Sequence, residues 1–265
     1  MAWDKACKPK PKRKPEPMRP ITGLIIYRGP SMLDGAPIVA IATGLDGKHR
    51  NNKTGNMVQT WIMRDDVAPH LALKTGDDAS VCGDCQHRPA NGGSCYVRVF
   101  QAPLVVWKAA HRGVYAMAEG LDAIRDAGRN RVVRVGSYGD PGAVPASVWR
   151  ALVSEAQAHT GYTHQWRNAP ELAALLMASA DSPQEAIEAQ SLGFRTFRVR
   201  AASEPVLARE FVCPASKEAG AKTNCASCRA CGGNASKAKA SPVIIAHGAT
   251  ARRFIVTRNG QALAA

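Results

Sequence analysis

Seven of the eight cysteines in this 265-residue chain fall into two groups, and thiolates at such spacings hold metals or clusters. One group is Cys82, Cys85 and Cys95, in CGDCQHRPANGGSCY. The other is Cys213, Cys225, Cys228 and Cys231, in CPASKEAGAKTNCASCRACGG. Cys7 stands apart and reads as a free thiol. The second group, C-x11-C-x2-C-x2-C, offers four thiolates, enough to close a tetrahedral zinc site or to hold a [4Fe–4S] cluster. Three thiolates in so tight a run suit three corners of a cube, which favours the cluster over zinc. The Gly, Ala and Ser around them cannot build a packed core, so this stretch needs a staple. The first group is one ligand short. With zinc, His87 or Asp84 would complete a closed site. With a cluster, three irons are held and the fourth is open. An open iron is what reductive cleavage of S-adenosylmethionine requires, because that molecule must chelate it while one electron breaks a C–S bond.

The elements that position these groups read as α/β. Residues 21–27, 37–43 and 57–63 are short apolar runs bounded by Gly, Pro and Asn, the pattern of strands. Residues 74–96 read as loop, and residues 102–113 and 118–128 as helices that stop at glycine. Strand and helix then alternate: strand 132–138, helix 145–159, strand 161–166, short helix 170–176, strand 176–182, helix 182–193, strand 195–200. Ser182, Pro183 and Glu185 form an N-terminal cap for the 182–193 helix, and Gly193 ends it. Alternation without hairpin turns predicts a parallel sheet or part of a (β/α) barrel. Residues 213–240 lose periodicity, and 241–248 and 252–258 read as closing strands. The expected units are an arm over 1–20, a barrel-like domain over 21–212 carrying the first cysteine loop, and a cysteine-rich segment with closing strands over 213–265.

Ligands of parallel sheets bind at the carboxyl ends of the strands. Those ends carry Ser137, Tyr138, Gly139 and Asp140, then Thr163, His164 and Gln165, then Ser179 and Asp181. Each alone suits a cap or turn; together they could line a pocket, with Asp140 and His164 foremost. Trp61, Trp107, Trp149 and Trp166 read as core residues rather than stacking platforms.

Lys and Arg number 35 against 21 Asp and Glu, a net charge of +14. Residues 1–20 hold seven basic and two acidic residues, leaving +9 on residues 21–265, and their five prolines forbid helix or sheet. They read as a disordered basic arm whose Lys8, Lys10, Lys12, Arg13 and Lys14 suit a nucleic-acid partner. No zinc-finger, RNP or helix-turn-helix signature points to sequence-specific reading. No apolar run is long enough to span a membrane and no secretory signal opens the chain, so the expected location is the cytoplasm.

Four segments carry a family resemblance: CGDCQHRPANGGSCYV, VVRVGSYGDPGAVPASVW, GYTHQW and LMASADS. Together they resemble bacteriophage-encoded proteins related to radical-SAM enzymes, over roughly residues 50–200. The matching positions are Cys95–Tyr96, Ser137–Tyr138–Gly139–Asp140 and Tyr162–Thr163. The C-x3-C-x2-C run usual in radical-SAM enzymes is C-x2-C-x9-C here. The resemblance implies an incomplete (β/α) barrel with the first cluster at its mouth. It also implies that Asp140 and Ser137 bind the cofactor ribose or amino group, with Ser179 and Asp181 as further cofactor candidates, and a host-cell cytoplasmic location if the chain is phage-encoded.

Three functions follow as expectations. The first is a radical-SAM-like iron–sulfur enzyme acting on nucleic acid or a nucleotide. Cys82, Cys85 and Cys95 would hold its reactive cluster and the other four cysteines an auxiliary one, with Asp140, His164 and Tyr138 as catalytic groups. The second is a zinc- or cluster-stapled nucleic-acid-binding protein without redox chemistry, for replication or host takeover, using the arm with Lys217, Lys222, Lys237, Lys239, Arg252 and Arg253. The third is a metal-dependent nuclease built on Asp140, His164 and Asp181, although no H-x-H or D-x-D spacing supports it.

Overall fold

Ten strands form one sheet whose ladders change direction partway across. The computed structural model describes residues 21–48, 51–248 and 250–255. The strands are β1 (Gly23–Pro30), β2 (Pro37–Thr43), β3 (Val58–Arg64), β4 (Ala116–Met117), β5 (Val132–Tyr138), β6 (Ala158–Thr163), β7 (Met177–Ala180), β8 (Thr196–Arg200), β9 (Glu210–Val212) and β10 (Ser241–Ile245). Their order is β4-β1-β2-β3-β5-β6-β7-β8-β10-β9. The β1–β2–β3 stretch is an antiparallel meander. Every other pairing is parallel. Among the described residues no ladder joins β4 to β9, so the sheet is mostly parallel and open rather than a closed barrel.

The helices are α1 (Pro69–Thr75), α2 (Ala79–Cys82), α3 (Ala102–His111), α4 (Gly120–Gly128), α5 (Ala146–Val153), α6 (Pro183–Ser191) and α7 (Cys225–Cys228). None of them is long and apolar enough to cross a membrane. On α6 the expected cap is present: the Glu185 amide donates to Ser182 Oγ at 3.1 Å, and Gly193 follows the helix at φ +85°. The Glu185 carboxylate accepts from the Asp181 amide at 2.7 Å, one residue before the cap.

The parallel half of the sheet has two unlike faces, as strand periodicity requires. One face, with Val133, Val135 and Ala178, joins a buried apolar cluster with Ile124 and Ala127 of α4, Trp149 and Leu152 of α5, and Ala189 of α6. The opposite face, with Arg134, Thr160, Tyr162, Phe197, Val199 and Ile244, lines a cavity. Trp149 and Trp166 are fully buried, whereas Trp61 and Trp107 pack at the edge of a second cluster.

Three expected boundaries need correcting. The helix expected over 145–159 ends at Val153, and Ala158 and His159 already pair with Val132 and Val133; the parallel ladder overrides the helical propensity of that stretch. The helix expected over 170–176 shrinks to a 3₁₀ turn at Pro170–Leu172, which lets Leu172 and Leu176 both reach the core. The closing strand expected over 252–258 is instead helical through residues 251–255, the rest lying outside the described residues. Thr250 Oγ1, just before it, donates to Ser94 O at 2.7 Å, which holds this stretch over the first cysteine loop rather than along the sheet. Phe254 packs instead against the His87 ring, centroids 5.7 Å apart. Strands β4 and β9 carry no sequence signal of their own, being two and three residues long. The basic residues Lys8, Lys10, Lys12, Arg13 and Lys14, and Cys7, lie outside the described residues. The boundary expected at 212/213 falls within one continuous sheet, since β10 pairs with both β8 and β9.

Candidate functional site

A cavity of about 280 Å³, open to solvent, lies over the inner face of the parallel strands. All seven clustered cysteines line it, together with Ser137, Tyr138, Asp140, His164, Ser179 and Asp181. The cysteines are free thiols; none is in a disulfide. Two loops far apart in sequence thus meet over one sheet, with the polar strand ends between them.

The ends of β5 and β6 are shaped by backbone devices. β5 carries two extra residues against β3, since Gln59 pairs with Arg134 but Trp61 with Tyr138. This bulge turns Ser137 and Tyr138 toward the cavity. It requires φ of +73° at Gly136, where an added Cβ would also press on the Pro141 ring at 3.0 Å. Gly139, at φ +78°, passes so close to β3 that a Cβ would sit 2.5 Å from the Ile62 carbonyl oxygen.

Asp140 fastens two strands together. Its Oδ1 accepts from the Gly142 amide at 2.8 Å and from Thr163 Oγ1 at 2.6 Å; its Oδ2 accepts from the His164 amide at 2.6 Å. Its own amide donates to the Val81 carbonyl at 2.6 Å, tying the β5 end to α2 and so to Cys82. Burial pushes its pKa up, against the opposing pull of His164 and the three donors. Thr163 is therefore spent on Asp140 rather than on the cavity. Gln165 is likewise spent on the first cysteine loop, donating to Asp84 Oδ1 at 2.7 Å. Asp84 is thus engaged away from the thiols.

That loop is held by charged pairs. The Arg88 guanidinium grips the fully buried Asp78 carboxylate at 2.7 and 3.1 Å and reaches the carbonyls of Gly76 and Gly83. His87 Nε2 lies 2.6 Å from Asp181 Oδ2, while its Nδ1 lies 2.7 Å from Ser94 Oγ. Gln86 donates to the same carboxylate oxygen at 2.7 Å. Burial works against ionisation of Asp181, but the bond to His87, the charges of both histidines and the Gln86 amide hold its carboxyl below the usual range. His164 is also buried, which disfavours its cation, yet the adjoining Cys85, Asp181 and Asp140 push its pKa up to about 10. His87, His164 and Asp181 are the only three such donors within 4.8 Å of one another among the described residues. Neither Asp78 nor Arg88 stood out in the sequence; a buried pair at i, i+10 in a loop has no periodic signature.

The Tyr138 phenol oxygen is buried and without a hydrogen-bond partner beside Cys82 and Cys95. Burial drives its pKa far upward, and raises Cys82 and Cys95 likewise. In the second loop Cys213 and Cys225 are raised by burial as well, and Cys231 is pushed up to about 12. The Tyr162 phenol donates to Cys231. Short α7 carries Cys225 and Cys228, capped by Asn224 Oδ1 accepting from the Ser227 amide at 3.0 Å. The Cys225 amide donates to Lys53 O at 3.1 Å, the Cys213 amide to Val243 O at 2.9 Å, and the Gly161 amide of β6 to Cys231 O at 3.1 Å. Arg195 clamps the carbonyls of Ala230 and Gly233, each at 3.0 Å.

Compared with known proteins, the chain matches no family model, no curated protein and no solved structure.

Proposed function

We propose that this chain is a radical-SAM-like iron–sulfur enzyme acting on a nucleotide or nucleic acid. The observation that carries the reading is the single cavity into which the three-thiol loop, the four-thiol loop and the polar ends of three parallel strands all open.

The residues present fit such groups. Free thiols, not disulfides, line the cavity, and the orphaned Tyr138 hydroxyl beside Cys82 and Cys95 marks a space that wants an acceptor. The tight C-x2-C-x2-C run of Cys225, Cys228 and Cys231 favours a cluster over zinc. Cys82, Cys85 and Cys95 would hold one cluster with a ligand position to spare; Cys213, Cys225, Cys228 and Cys231 would hold the second. When bound, the first cluster supplies the one-electron reduction that breaks a C–S bond of S-adenosylmethionine.

The chain's own residues bind, orient and shield. Burial disfavours the thiolates of Cys82, Cys95, Cys213, Cys225 and Cys231, so ligation there must displace protons and strengthens as pH rises. His164 sits beside Cys85 as a cation near neutral pH, a hydrogen-bond donor to a ligating thiolate, and Asp140 fixes its backbone. Asp140 is therefore a positioning residue in this reading. Ser137, whose hydroxyl donates to Gln59 Oε1 at 2.6 Å, keeps lone pairs free to accept from a cofactor amino or hydroxyl group. The basic arm, with Lys8, Lys10, Lys12, Arg13 and Lys14, would hold polynucleotide phosphates.

Anaerobic purification with iron, zinc and sulfide analysis tests the reading. Iron and sulfide in the cysteine loops, and release of 5′-deoxyadenosine on adding S-adenosylmethionine and a strong reductant, are the expected results. A colourless protein with stoichiometric zinc overturns it, as does an intact cluster that releases nothing. Removing residues 1–19 is expected to weaken polynucleotide binding and flatten its salt dependence; an unchanged slope overturns the assignment of the arm.

A further inference from the structure

The cavity is polarised in charge. Its three-cysteine end sets Asp140 and Asp181 beside His164, whereas the four-cysteine end carries the cations Arg134, Lys53 and Arg229, all lining the cavity. Arg134 sits on β5, on the face turned away from the helices. Its guanidinium has no carboxylate and no hydrogen-bond acceptor among the described residues. It lies over the Tyr162 ring, 5.9 Å to the centroid, and Tyr96, Cys225 and Cys231 bear on its charge. The phenol of Tyr162 is committed to Cys231 and does not serve it. A half-buried guanidinium normally meets an acceptor, since its five N–H groups lose water on burial. Here they face space. Lys53 Nζ, near Cys225, has only the His247 ring nitrogen at 3.0 Å.

An aromatic surface lies in the same wall. Tyr96 is 60% exposed although it lines the cavity, and its ring lies 6.0 Å from that of His247. A planar, twofold cationic fork with a second point charge nearby suits a phosphate, and an exposed ring alongside suits a flat base.

We propose that Arg134 and Lys53 form an oxyanion subsite that takes the phosphate of a nucleotide, with the base toward Tyr96. This deepens the reading of the cavity as the site of a nucleotide-directed enzyme and rests on that reading for its substrate class. The shared chemistry is a nucleotide phosphate, either the terminal group of a free nucleotide or an internal phosphodiester of a strand.

The test is equilibrium dialysis of the full chain, as purified, against adenosine, 5′-AMP and a dinucleotide whose only phosphate is internal. The chain is expected to bind 5′-AMP, the dinucleotide, or both, about tenfold or more tightly than adenosine. Arg134→Gln is expected to erase that preference, Arg134→Lys to restore part of it, and Lys53→Gln to weaken it less. A preference for 5′-AMP over the dinucleotide assigns a terminal phosphate; equal binding of the two assigns a strand phosphodiester. Equal binding of adenosine and both phosphates overturns the subsite, as does an Arg134→Gln chain that keeps the preference. Metal and sulfide are measured in the same samples. An Arg134→Gln chain that loses the four-cysteine centre along with the preference assigns Arg134 to that centre and also overturns the subsite. The readout is binding. A chain that releases no 5′-deoxyadenosine yet prefers the phosphates keeps this subsite, and one that cleaves S-adenosylmethionine without the preference loses it.

Discussion

The two cysteine loops face one cavity but are held in different ways. The three-cysteine loop is fastened by side chains: Arg88 to Asp78, His87 to Asp181 and Gln165 to Asp84. Its carboxylates are paired with cations, Asp78 with Arg88 and Asp181 with His87, while Asp78 and Asp140 both bear on Cys82. The four-cysteine loop is fastened largely through backbone, at Lys53, Val243, β6 and the Arg195 clamp, with one side-chain ion pair, Glu218 to Arg200, and cations bear on it. The difference teaches which loop can stand alone. A loop tied by buried side-chain pairs keeps its shape with a coordination position left open. A loop of Gly, Ala, Ser and Lys would, under the proposed function, take much of its order from what its thiolates bind. Under the proposed function, nearby Arg134 and Lys53 would also give the four-thiolate centre the higher reduction potential of the two.

The sharpest way to break this comparison is a pair of thiol deletions. Cys228→Ser is expected to empty its centre and raise amide exchange across residues 213–240 toward the rate of an unfolded chain. Cys85→Ser is expected to empty the other centre while residues 76–95 stay protected. Exchange mass spectrometry with metal analysis reads both, and equal loosening would end the distinction. Next in size is Arg88→Ala, which strands the buried Asp78 carboxylate and should cost about 3–5 kcal/mol in denaturant unfolding. A loss below 1 kcal/mol would mean the pair does not fasten the loop. Thr163→Val leaves Asp140 Oδ1 short of a donor and should cost about 1–3 kcal/mol; an unchanged midpoint would remove Asp140 as the fastener of β5 to β6.

Acid sharpens the same contrast. The Asp181 carboxyl is held below its unfolded value, so its contribution is complete above about pH 3.9 and disappears as pH falls through the folded value. The three-cysteine loop should therefore loosen in acid, and Asp181→Asn should flatten that limb of the stability profile; an identical acid limb in the variant would refute the linkage. The smallest effect belongs to Tyr138→Phe. Deleting an unpartnered buried hydroxyl should raise the stability of the metal-free chain by about 1 kcal/mol. The gain should vanish once the three-cysteine centre is loaded, if the hydroxyl then has an acceptor.

Much of this arrangement was legible in the residues, for identifiable reasons. Strands β2 and β5 match their apolar runs end to end, because Gly, Pro and Asn bound them. The convergence of Ser137, Tyr138, Asp140, His164, Ser179 and Asp181 follows from parallel strands, whose carboxyl ends all point one way. What could not be read was tertiary. That both cysteine loops share one cavity depends on β10 entering between β8 and β9, and no local pattern encodes a strand's neighbours. Arg134 read as one basic residue among 35, because only the fold shows that nothing accepts from it among the described residues. The helical turn at residues 251–255 was misread because a Phe-Ile-Val run favours a strand only when its side chains pack on a sheet, and here Phe254 packs on His87 of the first cysteine loop.

The place of β10 has a consequence for how the chain comes together. Among the described residues, the strand latest in sequence fills a gap between two that precede it, and the stretch leading to it carries the four thiols. Until residues 241–245 arrive, β8 and β9 have no shared partner and half the cavity wall is missing. A metal ion or cluster captured by residues 213–231 would shorten the crossover that the final strand must complete, lowering the entropy lost in closing it. Under the proposed function, loading of that loop and insertion of β10 would thus form a single locking event in folding.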